Sequence, residues 1–237
     1  MNKFIKAVTS FNLGELKSIL KARPEWLNWH EKDGKNALHY LCAVPLRNEK
    51  KKQALSLSLL QFLLKEGLEM NSIHSIKDKD CLFPATPLWY AYTRGRNEKI
   101  YKWLLGEGAD PEHCMYAIAW YDDTEAAALF KKHGARLDPG GGKDSPFLAA
   151  FLWKRFRVAE WFLRNGADVN ARDQDGNTAL YYAIKRKFPP DIIKLLLKYK
   201  ADLYSKNNED ISPFSLALLK GPKRIIELLE KHKNQSS

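Results

Sequence analysis

The segment Gly166-Ala167-Asp168-Val169-Asn170 closes a stretch of sequence that recurs along the chain. Each copy follows an apolar run, such as Leu195-Leu196-Leu197. The other closing segments are Gly108-Ala109-Asp110, Gly134-Ala135-Arg136 and Lys200-Ala201-Asp202. Self-similarity at a period of about 33 residues is typical of proteins in which small helical units stack on one another. The recurrence therefore predicts a stacked, all-α architecture and favours binding as the function.

A second recurring segment opens the repeats. Its clearest copy is Thr86-Pro87-Leu88-Trp89-Tyr90-Ala91, and related copies begin at Asn36, Ser145, Thr178 and Ser212. Ser or Thr caps a helix well, and Pro suits the first helical turn because no N–H partner is needed there. About ten residues later, apolar residues at helical spacing predict a second helix. The glycine of the closing segment then ends this helix in a left-handed conformation.

This pattern resembles the ankyrin repeat, which opens with Thr-Pro-Leu-His-x-Ala and ends near Gly-Ala-Asp. The resemblance covers nearly the whole chain, and its repetition makes it specific. It implies an all-α ankyrin-repeat solenoid of about seven helix-hairpin repeats with short β-hairpin loops. The chain also looks like divergent bacterial or viral ankyrin proteins, including secreted host-directed effectors. The repeats cover approximately residues 1–32, 33–77, 78–110, 111–141, 142–174, 175–207 and 208–237.

We expect a single domain over residues 1–237, with caps at about 1–32 and 208–237 and an irregular middle at about 45–141. The second repeat has an insertion at Pro45–Lys52, and the third has extra residues at Ser72–Pro84. The fourth opens with Cys114-Met115-Tyr116-Ala117 and has almost no room for a hairpin. The irregular middle is either structural drift or a shaped binding site.

Composition narrows the class of protein. The formal net charge of +11 attracts acidic partners but says nothing about the fold. The three cysteines, Cys42, Cys81 and Cys114, are odd in number and lack metal-ligand spacing, which favours a reducing compartment over disulfides or zinc. No run is apolar enough for a membrane span or a secretory signal, so we expect a cytoplasmic protein. Export through other signals stays open, and a secreted effector would act in the host cytoplasm.

The ankyrin resemblance points to a column of candidate binding residues. In such repeats the second and third residues after the motif Ala face the concave groove. The second-residue column holds Thr93, Ala119, Leu152, Lys185 and Leu219, and the third holds Arg94, Trp120, Trp153, Arg186 and Lys220. Trp and Arg are enriched at binding hot spots. The alternative is that Trp120 and Trp153 pack between repeats and fill irregular spacing.

Hairpin tips are the family's other recognition elements. In this chain they offer His30 and Lys32 in an early repeat, and Arg172 and Gln174 in a later one. Turn dipeptides such as Asp33-Gly34 hold these loops. Polar residues are expected on any exposed turn, so a purely structural role is the competing interpretation.

We expect a non-enzymatic protein–protein interaction module, monomeric and without cofactor or metal, that binds a protein with an acidic surface. The alternative is binding of nucleic acid or an anionic surface, which salt would weaken steeply. A third hypothesis is an enzyme site around Asp122, Asp123 and His133, although the two carboxylates also suit a helix start. The run Gly140-Gly141-Gly142-Lys143 does not match the spacing of a phosphate-binding loop.

Overall fold

A computed structural model describes residues 3–78, 81–138 and 145–236. The glycine run 140–143 lies outside the described residues. Fourteen α-helices in the described residues form seven successive pairs, which confirms the predicted all-α class. The pairs are α1 Lys3–Thr9 with α2 Leu13–Ala22, α3 Ala37–Ala43 with α4 Lys50–Lys65, α5 Pro87–Thr93 with α6 Glu98–Gly106, α7 Met115–Tyr121 with α8 Thr124–Lys132, α9 Pro146–Leu152 with α10 Phe156–Arg164, α11 Ala179–Lys185 with α12 Pro190–Lys198, and α13 Pro213–Lys220 with α14 Lys223–Ser236.

The chain divides into two compact units. The first unit holds Met1–Cys114 and Lys132–Ala135, and the second holds Met115–Lys131 and Arg136–Ser237. Within the first unit, α3 packs against α1 and α5, and α4 packs against α6. Within the second unit, α9 packs against α7 and α11, and α11 packs against α13. Within each unit, an opening helix therefore lies beside the equivalent helix of the next repeat, as stacking of repeats requires.

The Ser and Thr residues predicted as N-caps are found at the starts of the opening helices. The side chains of Thr86, Ser145, Thr178 and Ser212 each accept a hydrogen bond from the backbone N–H three residues ahead. The closing glycines have positive φ, for example +95° at Gly166. Lys200 occupies the equivalent place after α12 and takes a φ of +64°. The repeat thus keeps its left-handed helix ending even where glycine is absent.

The irregular middle has a structural explanation for each departure. The extra residues of the third repeat form a hairpin in which β1 (His74–Asp78) pairs antiparallel with β2 (Cys81–Ala85). The insertion in the second repeat is shorter than predicted, because Lys50 already begins α4. The fourth repeat replaces its hairpin with a 3-10 helix, Glu112–Cys114, that leads directly into α7. Within the described residues, strand structure is limited to this one hairpin and an isolated bridge between His30 and Asn36.

Apolar side chains from both helices of each pair fill the core. In the first unit Phe4, Leu38 and Leu59 are fully buried, and in the second unit Phe151 and Phe162 are. Burial of Phe4 and of neighbouring residues on α1 agrees with the predicted helix pair at the start of the chain. None of the described helices combines the length and apolar character needed to cross a bilayer.

Candidate interaction surface

Two tryptophans of the second unit form a pair that remains open to solvent. Trp120 lies near the end of α7, and Trp153 is the C-cap residue of α9, so the packing of α7 on α9 brings them together. Their ring centroids are 5.1 Å apart and their planes meet at 80°. This edge-to-face arrangement is one that aromatic pairs prefer. Trp120 is 50% exposed and Trp153 is 38% exposed. The pair is therefore packed on itself and still offers an aromatic surface.

Arg155 covers part of this pair. Its guanidinium carbon lies 5.7 Å from the centroid of a Trp120 ring, within the range of a cation–π contact. Its Nε is buried and has no hydrogen-bond acceptor among the described residues. Buried donors in folded proteins are nearly always paired with an acceptor, which is often water or a ligand. The sequence analysis missed Arg155, which lies two residues past the third-residue column.

Three further residues of the second- and third-residue columns, Leu152, Lys185 and Arg186, differ in their contacts and exposure. Arg186 is exposed, but its Nη1 donates a 3.0 Å hydrogen bond to the Leu152 carbonyl, and its guanidinium lies 5.0 Å from the Tyr182 ring centroid. Lys185 is exposed beside the Tyr181 ring. Leu152 is half-buried. Arg186 is thus held in place before any partner arrives.

The second-residue column is not a continuous exposed surface. Ala119 in the second unit and Thr93 in the first are both buried, because these small side chains are covered by their neighbours. Arg94, which caps the end of α5 in the first unit, is exposed. The structure brings Trp120, Leu152, Trp153, Lys185 and Arg186 to adjoining helix ends, whereas Arg94 belongs to the other unit.

The hairpin residues of the second unit bond to one another across repeats. Nε of Arg172 donates to the Gly176 carbonyl at 3.1 Å, and its Nη2 donates to the Lys206 carbonyl of the next hairpin. The Gln174 carbonyl accepts a 2.9 Å hydrogen bond from the Asn208 side chain. The donors of Arg172 therefore join two hairpins through hydrogen bonds, whereas the Gln174 side chain is exposed.

We call the end of each repeat that carries the loop before the opening helix the hairpin end. In the first unit, the hairpin end contains a buried histidine. His39 accepts the Asn36 N–H at its Nδ1, and its Nε2 lies 3.1 Å and 3.2 Å from the carbonyl oxygens of Ser72 and Ala85. Burial lowers the pKa of His39 to about 4. A neutral imidazole donating to two carbonyls is a structural link between this helix start and the β1–β2 hairpin. The candidate tip residues His30 and Lys32 are both exposed beside it.

A tyrosine–carboxylate pair recurs at the hairpin end, and the sequence analysis did not find it. The Tyr40 hydroxyl donates to the Glu31 carboxylate, and the Tyr182 hydroxyl donates to Asp173 at 2.5 Å. Burial, followed by these bonds, raises the pKa of each tyrosine to about 12. The signal in the sequence is an acidic residue nine positions before the tyrosine.

The carboxylates proposed for an enzyme site serve helix starts. Asp122 accepts the Val158 N–H at 2.8 Å, next to the start of α10, and Asp123 accepts the Ala126 N–H at 2.9 Å in the first turn of α8. These bonds agree with the helix-start interpretation. In the part of the chain that the structure describes, no three His, Cys, Asp or Glu side chains are grouped so that they could hold a metal ion.

Comparison with known proteins agrees with this architecture. Residues 146–236 match the family model of ankyrin repeats, in three copies. Residues 146–236 are ankyrin repeats. Its fold is similar to the crystal structure of the ankyrin repeat domain of Bcl-3, with a TM-score of 0.71 over 97% of this chain and 98% of that chain. At 19% sequence identity, the likeness to Bcl-3 is one of fold alone.

Curated relatives of the chain come from several sources. It is 28% identical to the phosphocholine transferase AnkX of Legionella pneumophila over 69% of the present chain. It is 26% identical to a putative ankyrin repeat protein of fowlpox virus over 74% of the chain. The aligned region spans 18% and 44% of the lengths of these two proteins, respectively.

Proposed function

We propose that the chain is a non-enzymatic interaction module, whose protein partner binds at the tryptophan surface. We define the tryptophan surface as Trp120, Trp153, Arg155 and Arg186. Ankyrin repeat domains are generally protein–protein interaction modules. The observation that carries the proposal is the exposed Trp120–Trp153 pair with a guanidinium over it. Trp and Arg supply most of the binding energy at many interfaces.

The partner presents acidic groups to this surface. Arg155 has a buried donor without an acceptor among the described residues, Arg186 is fixed against the Leu152 carbonyl, and the whole chain carries +11. Complementary charge accelerates encounter and selects against basic partners. A protein partner is favoured over single-stranded nucleic acid because Arg155 and Trp153 already occupy part of the Trp120 ring, which leaves less area for stacking a base.

The proposal extends to the cellular setting. We propose that the chain is a monomeric, host-directed effector that acts in the host cytoplasm, and the motivating observation is that its curated relatives include proteins of Legionella pneumophila and fowlpox virus. AnkX itself is a phosphocholine transferase, but the aligned region is 18% of its length. The proposal for the present chain is therefore binding rather than transfer chemistry.

The test compares the native chain with a double variant, Trp120→Ala with Trp153→Ala. Each protein is immobilised and exposed to lysates of the host and of the source organism, with and without nuclease treatment. Retained proteins are identified by mass spectrometry. We expect a retained acidic protein to be lost from the double variant, because truncation of buried hot-spot residues costs about 2 kcal/mol or more.

The matched control is Tyr204→Ala. Tyr204 is an aromatic residue of the second unit with 51% exposure, nearly the same as Trp120, but it lies outside the tryptophan surface. A partner kept by Tyr204→Ala and lost by the double variant supports the proposal. If every retained protein survives in the double variant, or if retention disappears with nuclease treatment, the tryptophan surface is not a protein-binding site.

A further inference from the structure

Basic side chains gather at the turns between the two helices of the last three repeats. These turns and their flanking residues are 154–157, 185–190 and 219–224, and we call them the basic edge. Each of the three stretches contains three Lys or Arg residues and no Asp or Glu. Like charges repel one another, so such a concentration opposes folding unless an anion offsets it.

Contacts between the turns make the basic edge one surface. The Lys154 ammonium lies 5.6 Å from the Phe188 ring centroid, which links the first turn to the second. The rings of Phe156 and Phe188 meet edge to face at 5.5 Å across the same two turns. The second and third turns share the walls of one cavity. The cations are thus presented side by side along consecutive repeats.

Few carboxylates neutralise these cations. Lys223 lies 3.9 Å from Glu227, and Arg224 helps Lys194 to lower the pKa of Asp191. For the other seven cations of the basic edge, no salt bridge to a described carboxylate is present. Elsewhere in the second unit, Arg164 pairs with Glu160 at 2.6 Å. Some cations elsewhere in this unit are therefore paired, whereas seven of the nine on the basic edge have no salt bridge to a described carboxylate.

Two lysines of the basic edge have positive φ, a backbone conformation that glycine adopts at lower energy. Lys154 has a φ of +59° and Lys187 has a φ of +53°. This left-handed conformation is unfavourable for residues with a Cβ other than Asn and Asp, and glycine adopts it freely. Two lysines in such positions are consistent with a requirement for their charge.

An apolar cavity opens among the cations. It has a volume of about 260 Å³ and lies between the second and third turns. Ile184, Phe188, Pro222 and Ile225 line it, with Lys187 and Arg224 also on its wall. An apolar side chain placed here would be surrounded by positive charge.

We propose that the basic edge binds an acidic, extended polypeptide segment that inserts one apolar side chain into this cavity. Packed helices lie about 8–10 Å apart, and a polyproline-type chain advances about 9 Å in three residues. One acidic group every third residue therefore meets each successive turn. A nucleic acid offers negative charge without an apolar side chain for the cavity, and a flat membrane does not enter it. The basic edge shares Arg155 and Arg186 with the tryptophan surface, but its cavity is lined by other residues and its test does not require Trp120 or Trp153.

The test measures fluorescence anisotropy of a labelled acidic peptide of about twelve residues, rich in Glu and Pro, with one central Leu. A second peptide carries Ser in place of Leu. We expect the Leu peptide to bind about tenfold more tightly, because the cavity removes its side chain from water. We also expect binding to weaken with added salt, because exposed charges are screened.

The protein variant for this test is Arg157→Glu with Lys187→Glu and Lys220→Glu, at three exposed positions of the basic edge. We expect its affinity for the Leu peptide to fall about tenfold or more, because the potential of the surface is reversed. The matched control is Lys50→Glu with Lys51→Glu and Lys65→Glu, also exposed, in α4 of the first unit. It makes the same change in net charge and should alter affinity less than about twofold.

Several outcomes would overturn the basic-edge site. They are absence of peptide binding, equal losses in the two charge variants, equal affinity for the Leu and Ser peptides, and tighter binding of an oligothymidylate of equal charge or of phosphatidylserine vesicles. The Leu and Ser comparison needs no protein variant, so it remains decisive if a charge variant does not fold. The double variant Trp120→Ala with Trp153→Ala should keep its peptide affinity, so the two surfaces can fail separately.

Discussion

The two ends of the repeats in the second unit use their polar residues in different ways. At the hairpin end, polar groups bond to one another across repeats, as when Asn207 donates to Asn177 at 2.8 Å. At the turn end, cations such as Lys187 have no salt bridge to a described carboxylate. The difference teaches that an exposed cation is a binding candidate where no carboxylate of the fold neutralises its charge, even if one of its donors bonds to the backbone, as in Arg186. Changes at the hairpin end should cost stability, whereas changes at the turn end should cost binding.

The largest effect should come from His39, at the hairpin end of the first unit. Its pKa is about 4 in the fold, because burial disfavours the charged form, against 6.5 as the ordinary value. The folded state therefore binds fewer protons than the unfolded state between these pH values, and stability falls as pH drops from about 6.5 to about 4. We expect a loss of about 3 kcal/mol from this residue.

Urea unfolding as a function of pH measures this loss. The control is His39→Gln, which cannot titrate, so its unfolding free energy should lack that part of the decline. The unfolding free energy of the native protein should fall more steeply on acidification than that of the variant, because the native imidazole is buried in its neutral form. Parallel pH profiles for the two proteins would mean that folding does not lower the pKa of His39, which would contradict a buried neutral imidazole bonded to Ser72 and Ala85.

The next effect tests the hairpin end of the second unit directly. Asn207 is buried, and its Oδ1 accepts the N–H groups of Glu209 and Ile211 at 3.0 Å and 2.9 Å. Asn207→Ala leaves these donors and the Oδ1 of Asn177 without the partners that Asn207 supplies, so we expect a loss of about 2 kcal/mol. The control Asn208→Ala removes one exposed bond and should cost about 0.5 kcal/mol. Equal midpoints of urea unfolding would contradict the structural role of the hairpin end.

The sequence predicted the helix pairs because their causes are local. Caps such as Thr86 and Ser145, apolar spacing and the closing Gly166 act within one repeat and recur in the next. The bond from Arg172 to Lys206 could not be predicted, because it depends on which atoms meet between adjacent repeats. The same limit explains why Thr93 was expected to be exposed and is buried.

The candidate surface was predicted only in part, because position within a repeat is local information and contacts between repeats are not. Position within the repeat was enough to place Trp120 and Trp153 in one column. Their edge-to-face contact, and the guanidinium of Arg155 over one ring, arise from packing between α7 and the following repeat. The Lys and Arg residues of the basic edge are visible in the sequence, but their common position is recognised only when the turns of successive repeats are aligned.

A smaller effect separates binding from packing at the tryptophan pair. Trp153 is 38% exposed and contacts Trp120 edge to face, so Trp153→Ala should cost about 1 kcal/mol of unfolding free energy. A tryptophan that fills space between repeats would cost about 3–5 kcal/mol. Phe162→Ala, at a fully buried position of the same unit, supplies that larger value as a reference. A loss as large as the reference would favour the packing interpretation.

The smallest effect has the opposite sign and lies at the turn end. Lys187 has a φ of +53°, which glycine adopts without a Cβ penalty, although glycine also loses more entropy on folding. Lys187→Gly should therefore raise the unfolding free energy by about 0.5 kcal/mol, while it weakens binding of the acidic peptide. The control Lys185→Gly changes the last residue of α11 and should lower stability by up to about 1 kcal/mol. If Lys187→Gly instead destabilises the fold, lysine at this turn contributes to stability, and the contrast between the two ends of the repeat does not hold there.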